Sequence, residues 1–229
     1  MYLKAIKQIP NLFTLGNLSC GVLSIHQIFN GHPENAVYLT ILAAVLDFFD
    51  GFLARLLKAD GELGKQLDSL ADLVTFGVAP AFMLYYSADL IEGTARYAFI
   101  LLALFSAYRL AKFNVDTRQS SSFIGVPTPI TGLSCVAWGI IDSPVKDFIF
   151  EHAWIFVLYC VIVSLLLVSE IPMPALKFKK GKEQPVAQFV FLLLTGVASL
   201  LFFGWLCIPI FYAAYVLSSI LINFAAKRK

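Results

Sequence analysis

Charge is scarce in this 229-residue chain: Asp, Glu, Lys and Arg make up 14% of it, against 59% hydrophobic residues. With a mean hydropathy of +0.79, that scarcity excludes an ordinary soluble domain and marks a membrane protein. There is also no excess of one sign. The 17 Lys and Arg stand against 15 Asp and Glu, a net charge of +2, which argues against a nucleic-acid partner unless the basic residues share one face. Cysteine is equally thin. Cys20, Cys135, Cys160 and Cys207 each sit alone in an apolar run, with no CxxC pair and no histidine nearby. A zinc site or a disulfide framework has no support, and buried apolar thiols remain. The three histidines, His26, His32 and His152, are scattered and acquire no role.

What the chain does have is long apolar runs. Breaks at Gly, Pro and charge divide them into eight candidate helices, roughly 11–29, 36–57, 67–88, 95–113, 125–142, 153–170, 186–203 and 206–224. The stretch from Val186 to Phe224 is about twice a spanning length, and Gly204 and Pro209 offer a turn, so a helical hairpin is expected there. Lys4 and Lys7 precede the first run, but no cleavage pattern follows, so that run is expected to stay as a helix. The expectation is an all-α polytopic membrane bundle of about eight transmembrane helices, filling residues 1–229 as one domain without internal repeats. An even count puts both termini on one side. All Lys and Arg except Arg96 and Lys146 fall on that side, while Glu34, Asp89, Glu92, Asp142, Asp147 and Glu151 lie opposite. The positive-inside rule then places both termini in the cytoplasm.

Four aspartates interrupt the second and third runs: Asp47 and Asp50 in LDFFDGFLARLL, Asp68 and Asp72 in GKQLDSLADLVTFG. Uncompensated, four carboxylates at mid-membrane would cost on the order of 10 kcal/mol. At about 100° per residue, Asp47 and Asp50 share one helix face, and Gly64, Asp68 and Asp72 share one stripe. The two helices are consecutive and antiparallel, so the acidic faces can meet in a pocket. Asp47 lies about ten residues from the cytoplasmic helix end, roughly 15 Å deep, so the pocket must open to the cytoplasm. Like charges there call for divalent cations. An all-oxygen set favours Mg²⁺, Mn²⁺ or Ca²⁺, and Mg²⁺ completes its shell with phosphate oxygens, which implies a phosphate-bearing substrate. The competing reading pairs the aspartates with Arg55, Lys58 and Lys65, or exposes them at helix ends. Gly51, Ala54 and Gly64 suit either close helix packing or room for a ligand.

The spacing Asp47-x2-Asp50-Gly51-x2-Ala54-Arg55-x8-Gly64-x3-Asp68-x3-Asp72 resembles the signature of the CDP-alcohol phosphatidyltransferases at all eight defined residues over 26 positions. The segments PNLFTLGNLSCG, LDSLADLVTFGVAPA, RLAKFNVD (109–116) and FIGVPTP (123–129) are further similar to the phosphatidylserine synthase branch; the final hundred residues add little beyond hydropathy. The resemblance implies transfer of a phosphatidyl group from CDP-diacylglycerol to an alcohol, with release of CMP. It implies that Asp47, Asp50, Asp68 and Asp72 hold two divalent cations, Mg²⁺ or Mn²⁺, and that Asp72 is also the general base. It places Gly51, Ala54, Arg55 and Gly64 against the cytidine nucleotide, with Asn11 and Thr14 at the entrance, and it implies a homodimer.

Relatives that take glycerol 3-phosphate or inositol phosphate typically carry an arginine shortly after the Pro-Asn-x-x-Thr stretch. Here Pro10-Asn11-Leu12-Phe13-Thr14-Leu15-Gly16-Asn17 has no basic residue following, so L-serine is the expected acceptor. The other phosphorylated alcohols and choline are the alternatives. Arg109, Lys112 and Asn114 are expected to bind the serine carboxylate or a donor phosphate, unless the two cations merely snorkel to the surface. Asn17 and Ser19 are read as helix contacts. FIGVPTP is read as a chain break or pocket rim, and the Lys177–Lys182 run as a solvated loop with affinity for anionic lipid headgroups. With no targeting extension, a prokaryotic cytoplasmic membrane is expected, the active site facing the cytoplasm. A divalent-cation transporter is the rival from another class, but Gly-x2-Ala-Arg between the acidic pairs has no use in an ion path.

Overall fold

The computed structural model describes residues 7–59, 61–116, 123–173 and 186–226, and these form an all-α bundle. Helix α1 covers Ile9–Phe29 and α2 covers Pro33–Leu57; each has proline in its first turn, where a missing N–H leaves no helical bond unmade. Gly31, at φ +75°, reverses the chain between them. At the other end of α2, Lys58 is left-handed and the Ala59 N–H turns back to the Ala54 carbonyl at 2.9 Å, which stops the helix. Then come α3 over Glu62–Ser87 and α4 over Gly93–Val115. The remaining helices are α5 (Thr128–Val136), α6 (Pro144–Phe150), α7 (Ala153–Val168), α8 (Val186–Phe203) and α9 (Cys207–Ala226). Two-residue strands β1 (Phe123–Ile124) and β2 (Pro172–Met173) pair antiparallel, Phe123 opposite Met173.

Among the described residues, five helices can cross a membrane by length and composition, the last being the 35-residue run Val190–Phe224; a sixth is added if α6 and α7, bent by 95°, count as one span. That last run folds back on itself. Gly204 has φ +54°, and a Cβ on Gly196 would lie 3.4 Å from the Phe211 ring, a pair that a straight helix would hold more than about 20 Å apart. The expected hairpin is therefore present; its turn is Gly204–Leu206, and Pro209 falls in the first turn of α9 instead. The run expected at 125–142 is shorter as a helix. Gly125 at φ +77° and an extended Pro127 delay its start to Thr128, and a 3₁₀ turn ends it at Gly139, against Met83 and Pro33. The two halves of this helix rise only roughly 20 Å. Of the basic residues that set the expected orientation, Lys4, Arg118, Lys177, Lys179, Lys180, Lys182, Lys227, Arg228 and Lys229 lie outside the described residues.

Inside α3, residues Leu73–Val78 widen into a π-helical turn. Pro80 explains it: the proline ring cannot bond the carbonyl four residues back, at Phe76, and would collide with it in a regular helix. Glycines let the neighbouring helices close on this turn. A Cβ on Gly21 of α1 would overlap Thr75, one on Gly77 would meet Ser106 of α4 at 2.9 Å, and one on Gly132 of α5 would meet the Phe76 carbonyl oxygen at 2.6 Å. Thr75 also donates to the Asn17 carbonyl at 3.1 Å. The apolar core lies beyond this turn, built on Leu84, Leu102, Trp138, Phe150, Phe156 and Leu167. Outward faces carry exposed Leu, Val and Phe such as Leu12, Phe48 and Leu104, as helices bordering lipid do.

Gly132→Ala is expected to destabilise the protein by about 1–3 kcal/mol, because Phe76 main-chain atoms cannot yield as a side chain would. Gly196→Ala, facing only an ordinary contact with the Phe211 ring, should leave stability near wild type. Thermal unfolding in detergent micelles compares the two.

Candidate active site

Two helices deliver the acids. Asp47 and Asp50 stand one turn apart on α2, Asp68 and Asp72 one turn apart on the first part of α3, so each pair projects from one face. Helix α1 packs along α2 and against α3, while α2 and α3 touch each other little. The carboxylates face one another across the space that remains. Asp47, Asp50 and Asp68 each place an oxygen within 4.8 Å of the others. Asp47 also comes within hydrogen-bond reach of Asp72, which is buried as Asp50 is, the two being 8% and 5% exposed. The cluster expected from the spacing is thus assembled, with Asp50 and Asp68 on a cavity wall and Asp72 joined to the group through Asp47.

Among the described residues no lysine or arginine forms an ion pair with these acids. Lys65 instead donates to the Asn114 carbonyl at 2.8 Å. Helix α1 answers them with two side-chain hydrogen bonds. The Thr14 hydroxyl donates to Asp50 Oδ2 at 2.7 Å, and Asn17 Nδ2 donates to Asp72 Oδ1 at 3.2 Å. Three hard carboxylate oxygens at such spacing can hold a divalent cation, which two neutral donors cannot replace.

A cavity of about 580 Å³ adjoins the acids, at the end of the bundle where α1 and α3 begin and α2 and α4 end. Asn11, Thr14, Gly51, Ala54, Arg55 and Gly64 line it together with Asp50 and Asp68, so every residue expected to touch the nucleotide is on its wall. Pro10, Ala59, Gly61, Glu62, Lys65 and Phe113 complete the wall. The glycines matter by what they omit. A Cβ on Gly64 would stand 3.3 Å from Asn11 Oδ1, and one on Gly51 would stand 3.6 Å from Arg55 Nη1, so side chains there would narrow the cavity.

The three residues expected to hold an acceptor separate. Arg109 is 8% exposed and does not snorkel: its Nη1 donates to Thr128 Oγ1 at 2.9 Å, and its guanidinium is in electrostatic reach of Asp72 and Tyr215. Lys112 turns away, with Nζ 4.0 Å from Glu170 Oε1. Asn114 ties α4 to α3, donating from Nδ2 to Ser69 Oγ at 2.9 Å beside the wall residue Lys65. The FIGVPTP segment does not line the cavity. The Gly125 and Val126 N–H groups donate to the carbonyls of Ile171 and Leu166, and a Cβ on Gly125 would meet the Leu167 carbonyl at 2.5 Å; this fixes Thr128 under Arg109.

Two participants escaped sequence reasoning. Ser19 does satisfy its own helix, bonding the Leu15 carbonyl, but Asn17 is fully buried and grips Asp72. A signal existed: Asn11, Thr14, Asn17, Gly21 and Ser24 recur every three or four residues through an apolar helix, a polar stripe pointing inward. Tyr215, fully buried on α9 beside Val126, had none, being one aromatic in an apolar run.

Residues 7–226 match the family model described as CDP-alcohol phosphatidyltransferase. The CDP-diacylglycerol–serine O-phosphatidyltransferase of Bacillus subtilis is 42% identical over 141 residues, covering 60% of this chain and 78% of its own. The protein of that name from Helicobacter pylori is 34% identical over 176 residues, 76% of this chain and 73% of its own. The archaetidylserine synthase of Methanothermobacter thermautotrophicus is 33% identical over 175 residues, 72% of this chain and 69% of its own. A family match that runs through all nine helices agrees with signature residues gathered on one cavity, and the chain belongs to the CDP-alcohol phosphatidyltransferase family.

Proposed function

We propose that this protein transfers the phosphatidyl group of CDP-diacylglycerol to the hydroxyl of L-serine, giving phosphatidylserine and CMP. One observation carries the reading: a buried carboxylate, Asp72, belongs to an acidic group that borders a cavity walled by the nucleotide signature, with a buried arginine in electrostatic reach of it. The names of the relatives supply the donor and the amino-acid acceptor.

Asn11, Thr14, Gly51, Ala54, Arg55 and Gly64 hold the cytidine nucleotide, with the Arg55 guanidinium at its phosphates. Bound at Asp47, Asp50, Asp68 and Asp72, two divalent cations, Mg²⁺ or Mn²⁺, would neutralise the pyrophosphate and stabilise charge developing on the transferred group. Asp72 is the general base. As the serine oxygen forms its bond to phosphorus, the hydroxyl proton passes to Asp72, the phosphorus–oxygen bond to CMP breaks, and the electron pair leaves on the CMP phosphate. Thr14 and Asn17 keep Asp50 and Asp72 oriented. Arg109 binds the serine carboxylate, while Lys112 and Asn114 brace the end of α4.

The chain works as one membrane-embedded domain, as a homodimer, in a prokaryotic cytoplasmic membrane, with the cavity and both termini on the cytoplasmic side. Charge supports this orientation, since Arg55, Lys58, Lys65 and Lys112 all sit at the cavity end while Arg96 and Lys146 sit opposite.

Purified protein with CDP-diacylglycerol, L-serine and a divalent cation should release CMP; product from glycerol 3-phosphate and none from serine would overturn the acceptor. Asp72→Asn should lower kcat at least about 100-fold with little change in donor KM. Chelation by EDTA should abolish turnover, and Mg²⁺ or Mn²⁺ should restore it; turnover indifferent to the chelator would remove the cation. Arg109→Ala should raise the serine KM more than the donor KM, as read from initial rates with each substrate varied in turn.

A further inference from the structure

Two side chains that answer Asp72 each carry a buried polar atom with no partner among the described residues: Asn17 Oδ1 and Arg109 Nε. Each belongs to a side chain already anchored at its other end. Asn17 spends its amide nitrogen on Asp72 Oδ1, and Arg109 spends Nη1 on Thr128. An amide oxygen and nitrogen share one carbon, so the orphan oxygen of Asn17 also lies next to the Asp72 carboxylate. The side chains are 0% and 8% exposed. A buried acceptor and a buried cationic donor left unmade would each cost about 1–3 kcal/mol or more, which a folded protein tolerates where a ligand completes the bond.

The two orphans are opposite in kind. Asn17 Oδ1 accepts only, and suits an ammonium group; Arg109 Nε donates only, and suits a carboxylate. Asp72, bonded to Asn17 and in electrostatic reach of the Arg109 guanidinium, awaits a hydroxyl proton. We infer that Asn17 and Arg109 together read the zwitterion of the acceptor, Asn17 through its ammonium and Arg109 through its carboxylate, with the hydroxyl delivered to Asp72. This rests on the serine reading above and adds a specificity residue, Asn17, that the reading does not need. The amide has a double duty, since the same group that receives the ammonium also orients the base. An acceptor bearing a phosphate in place of the ammonium would set its negative charge against Asn17 Oδ1 and Asp72, so the arrangement selects against it.

The test compares acceptors that lack one charge each: 3-hydroxypropanoate has no ammonium, and ethanolamine has no carboxylate. Asn17→Ala should lower kcat/KM for L-serine at least about tenfold more than for 3-hydroxypropanoate, and Arg109→Gln should lower it at least about tenfold more for L-serine than for ethanolamine. Loss of the Asn17 grip on Asp72 burdens every acceptor alike and cancels in the ratio. Equal factors for both acceptors would reduce Asn17 to a support for the base and overturn the inference. Should the variants not fold, or the analogues turn over too slowly to measure, the wild-type enzyme decides by competition against L-serine. L-alanine, a zwitterion without the hydroxyl, should then inhibit at least about tenfold more tightly than propanoate or ethylamine, and equal inhibition by the three would overturn it. If CMP is released with other alcohols and never with L-serine, the functional reading itself fails, a separate outcome.

Discussion

Mutual repulsion among four carboxylates at low dielectric is the constraint on which the site depends. At separations near 4.8 Å, like charges repel by about 3 kcal/mol per pair with an effective dielectric of about 20. The hydrogen bonds from Thr14 and Asn17, each worth about 1.5–3 kcal/mol to a charged acceptor, orient two of the acids without balancing four. Among the described residues no lysine or arginine pairs with the cluster: Lys65 goes to a main-chain carbonyl and Lys112 to Glu170, and Arg109 reaches Asp72 only through space. What the fold leaves open is a place for exogenous positive charge. That choice makes sense only where the bound ion also serves the chemistry.

Helix α1 is the element that makes such a cluster possible. By packing against both acid-bearing helices it holds them apart, so the carboxylates border a cavity instead of touching a facing helix. Its polar stripe does the remaining work, from Asn11 on the cavity wall, through Thr14 and Asn17 at the acids, to Ser24 near the Ala36 carbonyl and Thr40 of α2. The π turn of α3 is locked to the same stripe by Thr75. Disorder in any one of these would be felt by Asp72, which the turn follows immediately in sequence.

Much of this was legible because it is local. The acid pairs and the small residues between them are spaced to share faces, and helical periodicity carries that spacing directly into space. The expectation that Asn11, Thr14, Gly51, Ala54, Arg55 and Gly64 meet a nucleotide comes from the family resemblance, and all six stand on the cavity wall. What escaped depends on which helix meets which, as with Asn17 reaching Asp72 over 55 positions of sequence, or Thr128 supporting Arg109 through a strand pair made with residues 172–173. The π turn was concealed for another reason: Pro80 announces a disturbance, but a proline can kink, end or widen a helix, and its position in the sequence does not say which. The hairpin was expected, yet its turn sits at Gly204, since a proline is comfortable inside the first turn of α9 and only glycine readily takes the positive φ.

The cavity lies at one end of the bundle, where α1 and α3 begin and α2 and α4 end. Asp72, Asn17 and Thr75 are buried further along, followed by the apolar core of Leu84, Leu102 and Phe156. A polar headgroup is therefore received and released at that end. On the proposed function, new lipid is born in the same leaflet that surrendered the donor, and the enzyme creates membrane asymmetry with each turnover. Equalising the two leaflets falls to some other protein that can carry an anionic headgroup across.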